Sequence, residues 1–170
     1  FAVFGIFMLI ALLFNSYSQP LLVILSIPFA LIGVVWAFFF HSEPFSFFVL
    51  LGVLALVGVV VNDSLVMISH LNFIKQSQDK DSSSIQWIAM GAKDRLRAVI
   101  LTTLTTLAGV LPLIYGFGGK DAFLQPMVMA LGYGLLFGTF VTLILLPCLY
   151  SLNLDLANWI KKIKNSLLKT

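Results

Sequence analysis

The sequence predicts an all-α integral membrane protein, and three observations carry that prediction. Hydrophobic residues make up 60% of the 170 and charged residues only 10%, against about 25% charged in an ordinary soluble domain. The mean hydropathy is +1.05, concentrated in runs that suit the roughly 20 residues needed to cross about 30 Å of hydrocarbon. The formal charge of +3 comes from basic residues in the connectors between those runs. That placement makes them topology signals and argues against nucleic acid as a partner. Cys148 is the only cysteine, which excludes an intrachain disulfide and a cysteine metal cluster.

Five apolar runs follow one another. The first, Phe1 to Phe14, is short for a span. It opens "FAVFGIFMLI" without Met or a basic lead, so it reads as the interior of a longer protein and not as a signal peptide. "NSYSQP" is a polar turn, and the second run, Leu21 to Phe40, has full spanning length with Pro28 inside it. Bundles tolerate such a proline when neighbours satisfy the freed backbone. After "HSEPFS" the third run covers Phe47 to Leu71. A connector from Asn72 to Arg97 follows, and in it Ile85, Ile88, Ala89 and Leu96 recur at near-helical spacing, predicting an interfacial cytoplasmic helix. The fourth run is Ala98 to Phe117, and "GGKDAFLQ" leads to the fifth, Pro126 to Tyr150. Residues 151–170 repeat Leu152, Leu156, Trp159, Ile160, Ile163 and Leu167 among Lys161, Lys162, Lys164 and Lys169. That pattern is a basic amphipathic C-terminal helix suited to an anionic membrane surface.

Connector charge predicts orientation. Lys75, Lys80, Lys93, Arg95 and Arg97 lie in the long connector and four lysines in the tail, while the opposite side has only Lys120. By the positive-inside rule the long connector and the C-terminus are cytoplasmic.

Polar residues inside the runs mark the candidate site. In "GVVVNDSLVM" Asn62 and Asp63 sit within a spanning segment, where a carboxylate costs roughly 2.5–3.5 kcal/mol at the bilayer centre on insertion scales. Intramembrane carboxylates mark ion pathways, so Asp63 is a candidate for proton exchange. Its alternative is a helix-end residue solvated by water. Ser69 and His70 lie one heptad further on, where an interfacial histidine is the ordinary case. The fourth run supplies "LTTLTTLAG", with Thr102, Thr105, Thr106 and Gly109 on one face. Such threonines can equally bond their own backbone carbonyls, and small residues can simply permit close packing.

"LGVLALVGVVVNDSLVMISHLN", "GAKDRLRAVILTTLTTLAGVLPLIYG" and "LLPCLYSL", in this order and spacing, resemble the C-terminal half of the membrane domain of resistance-nodulation-division (RND) transporters. The likeness is to their hydrophobe and amphiphile efflux branch, from the eighth to the twelfth membrane helix. The resemblance implies a proton-driven antiporter of the bacterial inner membrane that is trimeric. Its N-terminal half would belong to the same transporter, with a periplasmic adaptor and an outer-membrane channel as further partners. By motif position Thr102 matches the relay threonine and Arg95 the arginine at the cytoplasmic mouth. Asn62 stands where well-studied drug pumps carry a lysine, and Asp63 where they carry an asparagine. The proton-relay candidates are therefore Asn62, Asp63, Arg95 and Thr102.

No Gly-rich phosphate loop, nucleophile–base pair or metal-spaced His/Cys set supports an enzyme, and no cofactor is implied. The alternatives to efflux are a protein-export component of the SecD/SecF type, which shares the fold, and a non-transporting structural piece when isolated. The "GVLPL" block and the connector lengths favour efflux.

Overall fold

A computed structural model of the chain describes residues 2–14, 16, 18–77, 84–117, 119 and 121–167. The side chains of 2–3, 77, 84, 155 and 157–167 lie outside that description. Five helices follow in order: α1 Ala2–Phe14, α2 Ser18–His41, α3 Phe47–Ser77, α4 Ser84–Tyr115 and α5 Leu124–Leu167. Among the described residues there is no strand. The last four helices are long and apolar enough to cross a membrane, whereas α1 is shorter. Leu12 is 77% exposed and Phe39 73%, a surface that water would not tolerate in quantity and that hydrocarbon accepts.

Three helices run beyond the apolar runs. The segment expected as an interfacial helix is continuous with the fourth span, because "KDRLRAVI" changes polarity without a glycine or proline to stop the backbone ladder. Likewise α3 runs past Leu71 to Ser77, carrying Asn72 and Lys75 on helix. α5 continues through the tail; its 44 residues at 1.5 Å each reach roughly 66 Å, about twice the hydrocarbon thickness. Its backbone is helical over the lysine-bearing stretch, but the side chains of Lys161, Lys162 and Lys164 lie outside the described set, as does Lys169 altogether.

The helix ends have local causes. α2 closes in a Schellman turn: Glu43 N–H donates to the Phe38 carbonyl at 3.2 Å and Ser42 N–H to the Phe39 carbonyl at 3.3 Å. Ser42 accordingly takes φ 52°. Gly116 does the same for α4 at φ 72°, with Phe117 N–H on the Pro112 carbonyl at 2.9 Å. α5 begins on Asp121, whose Oδ1 accepts the Phe123 and Leu124 N–H groups at 2.8 and 3.1 Å. Those two bonds hold the Asp121 carboxyl below the usual carboxylate range.

α5 is the hub, packed against α2, α3 and α4. Lipid tails are as apolar as leucine, so helices in a bilayer associate through close fit and hydrogen bonds more than through apolar burial. The close fit is visible at Gly134, where a Cβ would overlap Leu56 and Val34, and at Gly52, where one would overlap the Met127 carbonyl. One core gathers Leu22, Val23, Ile68, Leu71, Trp87, Leu146 and Tyr150; a second gathers Val34, Phe38, Val49, Leu56, Met129 and Leu135.

Candidate functional site

The α3–α4 pairing sets the geometry of the candidate residues. Near their shared connector, Gly91 sits against Leu71 and Ile74, and His70 Nε2 approaches Asp94 Oδ2 at 3.8 Å. Arg95 lines a cavity of about 300 Å³ with Leu65, Val66 and Ser69 of α3 and Leu13 and Phe14 of α1. In this antiparallel register Asp63 comes level with the Val99–Thr102 turn of α4.

Asn62 is exposed and Asp63 half-buried, and neither side chain makes a hydrogen bond or ion pair among the described residues. Ser64, the next residue, is buried. Asn62 falls on a stripe with Gly58, Val66 and Ser69; Val66 and Ser69 line the cavity shared with α1 and Arg95, whereas a Cβ on Gly58 would meet nothing within 4 Å. Asp63 lies on the flank of that stripe nearest α4. On α4, Thr102 and Thr105 are exposed, Thr106 is half-buried, and Gly109 again has nothing within 4 Å. The three threonine hydroxyls donate to carbonyls of their own helix: Thr102 to Val99 at 2.9 Å, Thr105 to Leu101 at 3.0 Å and Thr106 to Thr102 at 2.9 Å. Arg95 is half-buried, and its Nε is buried without a hydrogen-bond partner. The structure thus brings Arg95 against α3 below Asp63 and sets Asp63 and Thr102 at one depth, but links none of the four by a hydrogen bond.

Polar contacts that the sequence reading missed lie elsewhere. Ser26 Oγ gives its proton to the Val23 carbonyl at 2.6 Å, so Ser64 is the donor in the 3.1 Å bond that joins α2 to α3. Thr103, not Thr102, reaches across a helix interface, 2.8 Å from Thr139 of α5. The Gln19 and Asn72 side-chain amides pair twice, at 3.0 and 2.9 Å, and Tyr150 donates to Asn72 Oδ1 at 2.7 Å. At the opposite end, His41 Nδ1 donates to the Ala37 carbonyl at 2.9 Å, which leaves a neutral ring's Nε2 to accept from Tyr133 at 3.3 Å. Doublets such as "TT" and amides at run ends were the available signals; their partners depend on register between helices.

Comparison with known proteins decides the family. A model of the AcrB/AcrD/AcrF family matches residues 1–153. The chain belongs to the AcrB/AcrD/AcrF family. It is therefore membrane-region sequence of an RND efflux transporter, a multi-pass membrane protein. It is 35% identical over 147 residues to the cobalt-zinc-cadmium resistance protein CzcA of Cupriavidus metallidurans, covering 86% of this chain and 14% of that one. It is 30% identical over 150 residues to the multidrug resistance protein MdtC of Erwinia tasmaniensis, covering 88% and 14%. The chain thus spans about one-seventh of the length of these relatives.

Proposed function

We propose that this chain forms part of the proton-translocating membrane region of an RND proton antiporter that exports small hydrophobic or amphiphilic compounds. The bacterial inner membrane is its place, with the C-terminus cytoplasmic. The supporting observation is the placement of an exposed Asn62 and a half-buried Asp63 within the apolar span of α3, level with Thr102 and two turns above Arg95. A desolvated carboxylate facing lipid costs several kcal/mol. A hydrated seam against the N-terminal half of the same transporter removes that cost. There Asp63 shapes the field felt by the acidic residues that take up protons, Asn62 supplies hydrogen bonds where related pumps supply a lysine charge, and Thr102 turns its hydroxyl from Val99 into the network. Arg95 stands at the cytoplasmic mouth. In the parent the partners are a homotrimer, a periplasmic adaptor and an outer-membrane channel.

The 35% identity to a cobalt-zinc-cadmium resistance protein favours a second reading of the cargo, metal cations. Among the described residues no three His, Cys, Asp or Glu side chains gather to hold a metal ion.

The test is transport by full-length protein in membranes. Asp63→Asn keeps shape and hydrogen bonding while deleting the charge, and it should alter the pH profile of efflux. Thr102→Ala should weaken transport at normal membrane insertion. Unchanged efflux and an unchanged pH profile in both variants would overturn the assignment.

A further inference from the structure

The α4–α5 crevice is a groove that hydrocarbon fits and water does not. Toward the middle of the bundle it is a cavity of about 200 Å³ walled by Ile100, Leu104, Leu107, Leu136, Phe140 and Leu143. Thr103 and Thr139 complete the wall, but their hydroxyls are consumed by each other and by the Val99 and Leu135 carbonyls, so the groove meets their methyl groups. Further along the same crevice, toward the start of α4, a second cavity of about 480 Å³ lies between Ile85, Ile88 and Ala89 and the α5 residues Pro147, Cys148 and Leu152. The faces match: residues 85, 89, 92, 96, 100, 103 and 107 recur at helical spacing along one side of α4.

Charge flanks that groove. Lys93 and Arg97, one turn apart, lie beside the groove stripe on the α4 surface; both are exposed, and neither has an acidic partner among the described residues. Asp94 and Arg95 point the other way, toward α3. Two unpaired cations between the two cavities, at the near end of the one walled by Ile100 to Leu107, complement an anionic headgroup with its acyl chain.

We propose that the α4–α5 groove is a binding site for an anionic phospholipid, with the phosphate on Lys93 and Arg97 and an acyl chain laid along Ile100 to Leu107. The leaflet is the one bordering the start of α4. The site requires only that the chain spans a membrane, so it stands or falls separately from proton coupling and cargo.

Native mass spectrometry of the full-length protein, titrated with phosphatidylglycerol and with phosphatidylcholine, tests it. The wild type should retain phosphatidylglycerol in preference to phosphatidylcholine. Lys93→Gln with Arg97→Gln should cut that preference about thirtyfold, as expected for losing two interfacial cations. Ile100→Trp, which fills the apolar cavity, should reduce retention of both lipids while helicity by circular dichroism stays unchanged. An unchanged preference in the double surface variant would overturn the site even if Ile100→Trp failed to fold. Retention of a helical peptide or a second copy in place of lipid, lost in Ile100→Trp, would overturn it in favour of that occupant.

Discussion

Asn72 shows what a single polar side chain contributes in this bundle. Its amide joins Gln19 of α2 and Tyr150 of α5 in a three-helix clasp in which both amide oxygens accept and both amide nitrogens donate. Hydrogen bonds between membrane helices average only about 0.6 kcal/mol, because the separated helices also find partners. Tyr150→Phe, which leaves the amide pair intact, should therefore cost about that much in reversible unfolding measured by steric trapping. Asn72→Leu should cost more, about 1–3 kcal/mol, because it strands the Gln19 amide in a half-buried place. The clasp was hard to read in the sequence because Asn72 opens a polar connector, and only the continuation of α3 to Ser77 puts it on helix. Asp63 was the opposite case. A carboxylate inside an apolar run stands out without any knowledge of its neighbours, but its cross-helix partner is a matter of register and cannot be read from one strand of text.

At the scale of helices, α5 carries the architecture because its small residues let three neighbours approach. Gly134→Val should destabilise the bundle by about 1–3 kcal/mol through overpacking against Leu56 and Val34. Gly58→Ala, where nothing lies within 4 Å, should stay within about 0.5 kcal/mol in the same assay of the chain by itself. The start of α5 depends on Asp121. Its carboxyl titrates below the ordinary value of 3.8 because the ionised form accepts two backbone N–H groups. The cap's stabilisation is thus fully present above that ordinary value and fades as pH falls through the lower folded one. Hydrogen exchange at Phe123 and Leu124 should be protected at neutral pH, faster in Asp121→Ala, and closer to wild type in Asp121→Asn, which keeps an acceptor. Helix existence was legible from run length and from the Pro and Gly of the connectors. The fusion of the amphipathic segment with the fourth span was not, since polarity changes at Arg97 while the backbone meets no breaker.

For the whole molecule, membrane residence follows from composition alone, whereas orientation rests on where the basic residues gather. Lys75, Lys93, Arg95 and Arg97 cluster around the α3–α4 connector, so a cysteine placed at Lys120 should react with an impermeant thiol reagent from the outside of intact cells. Reaction only from the cytoplasmic side would reverse the topology. On the proposed function Asn62 and Asp63 face a hydrated seam inside a larger transporter and not lipid. The most direct measurement places a nitroxide at Asn62→Cys in full-length protein with the exposed Cys148 changed to serine, and compares collisions with oxygen and with a water-soluble nickel chelate. A hydrated seam should give strong relaxation by the chelate at position 62 and by oxygen at Phe39→Cys on the exposed face of α2. Relaxation by oxygen alone at position 62, matching Phe39→Cys, would place the α3 stripe in lipid and contradict it.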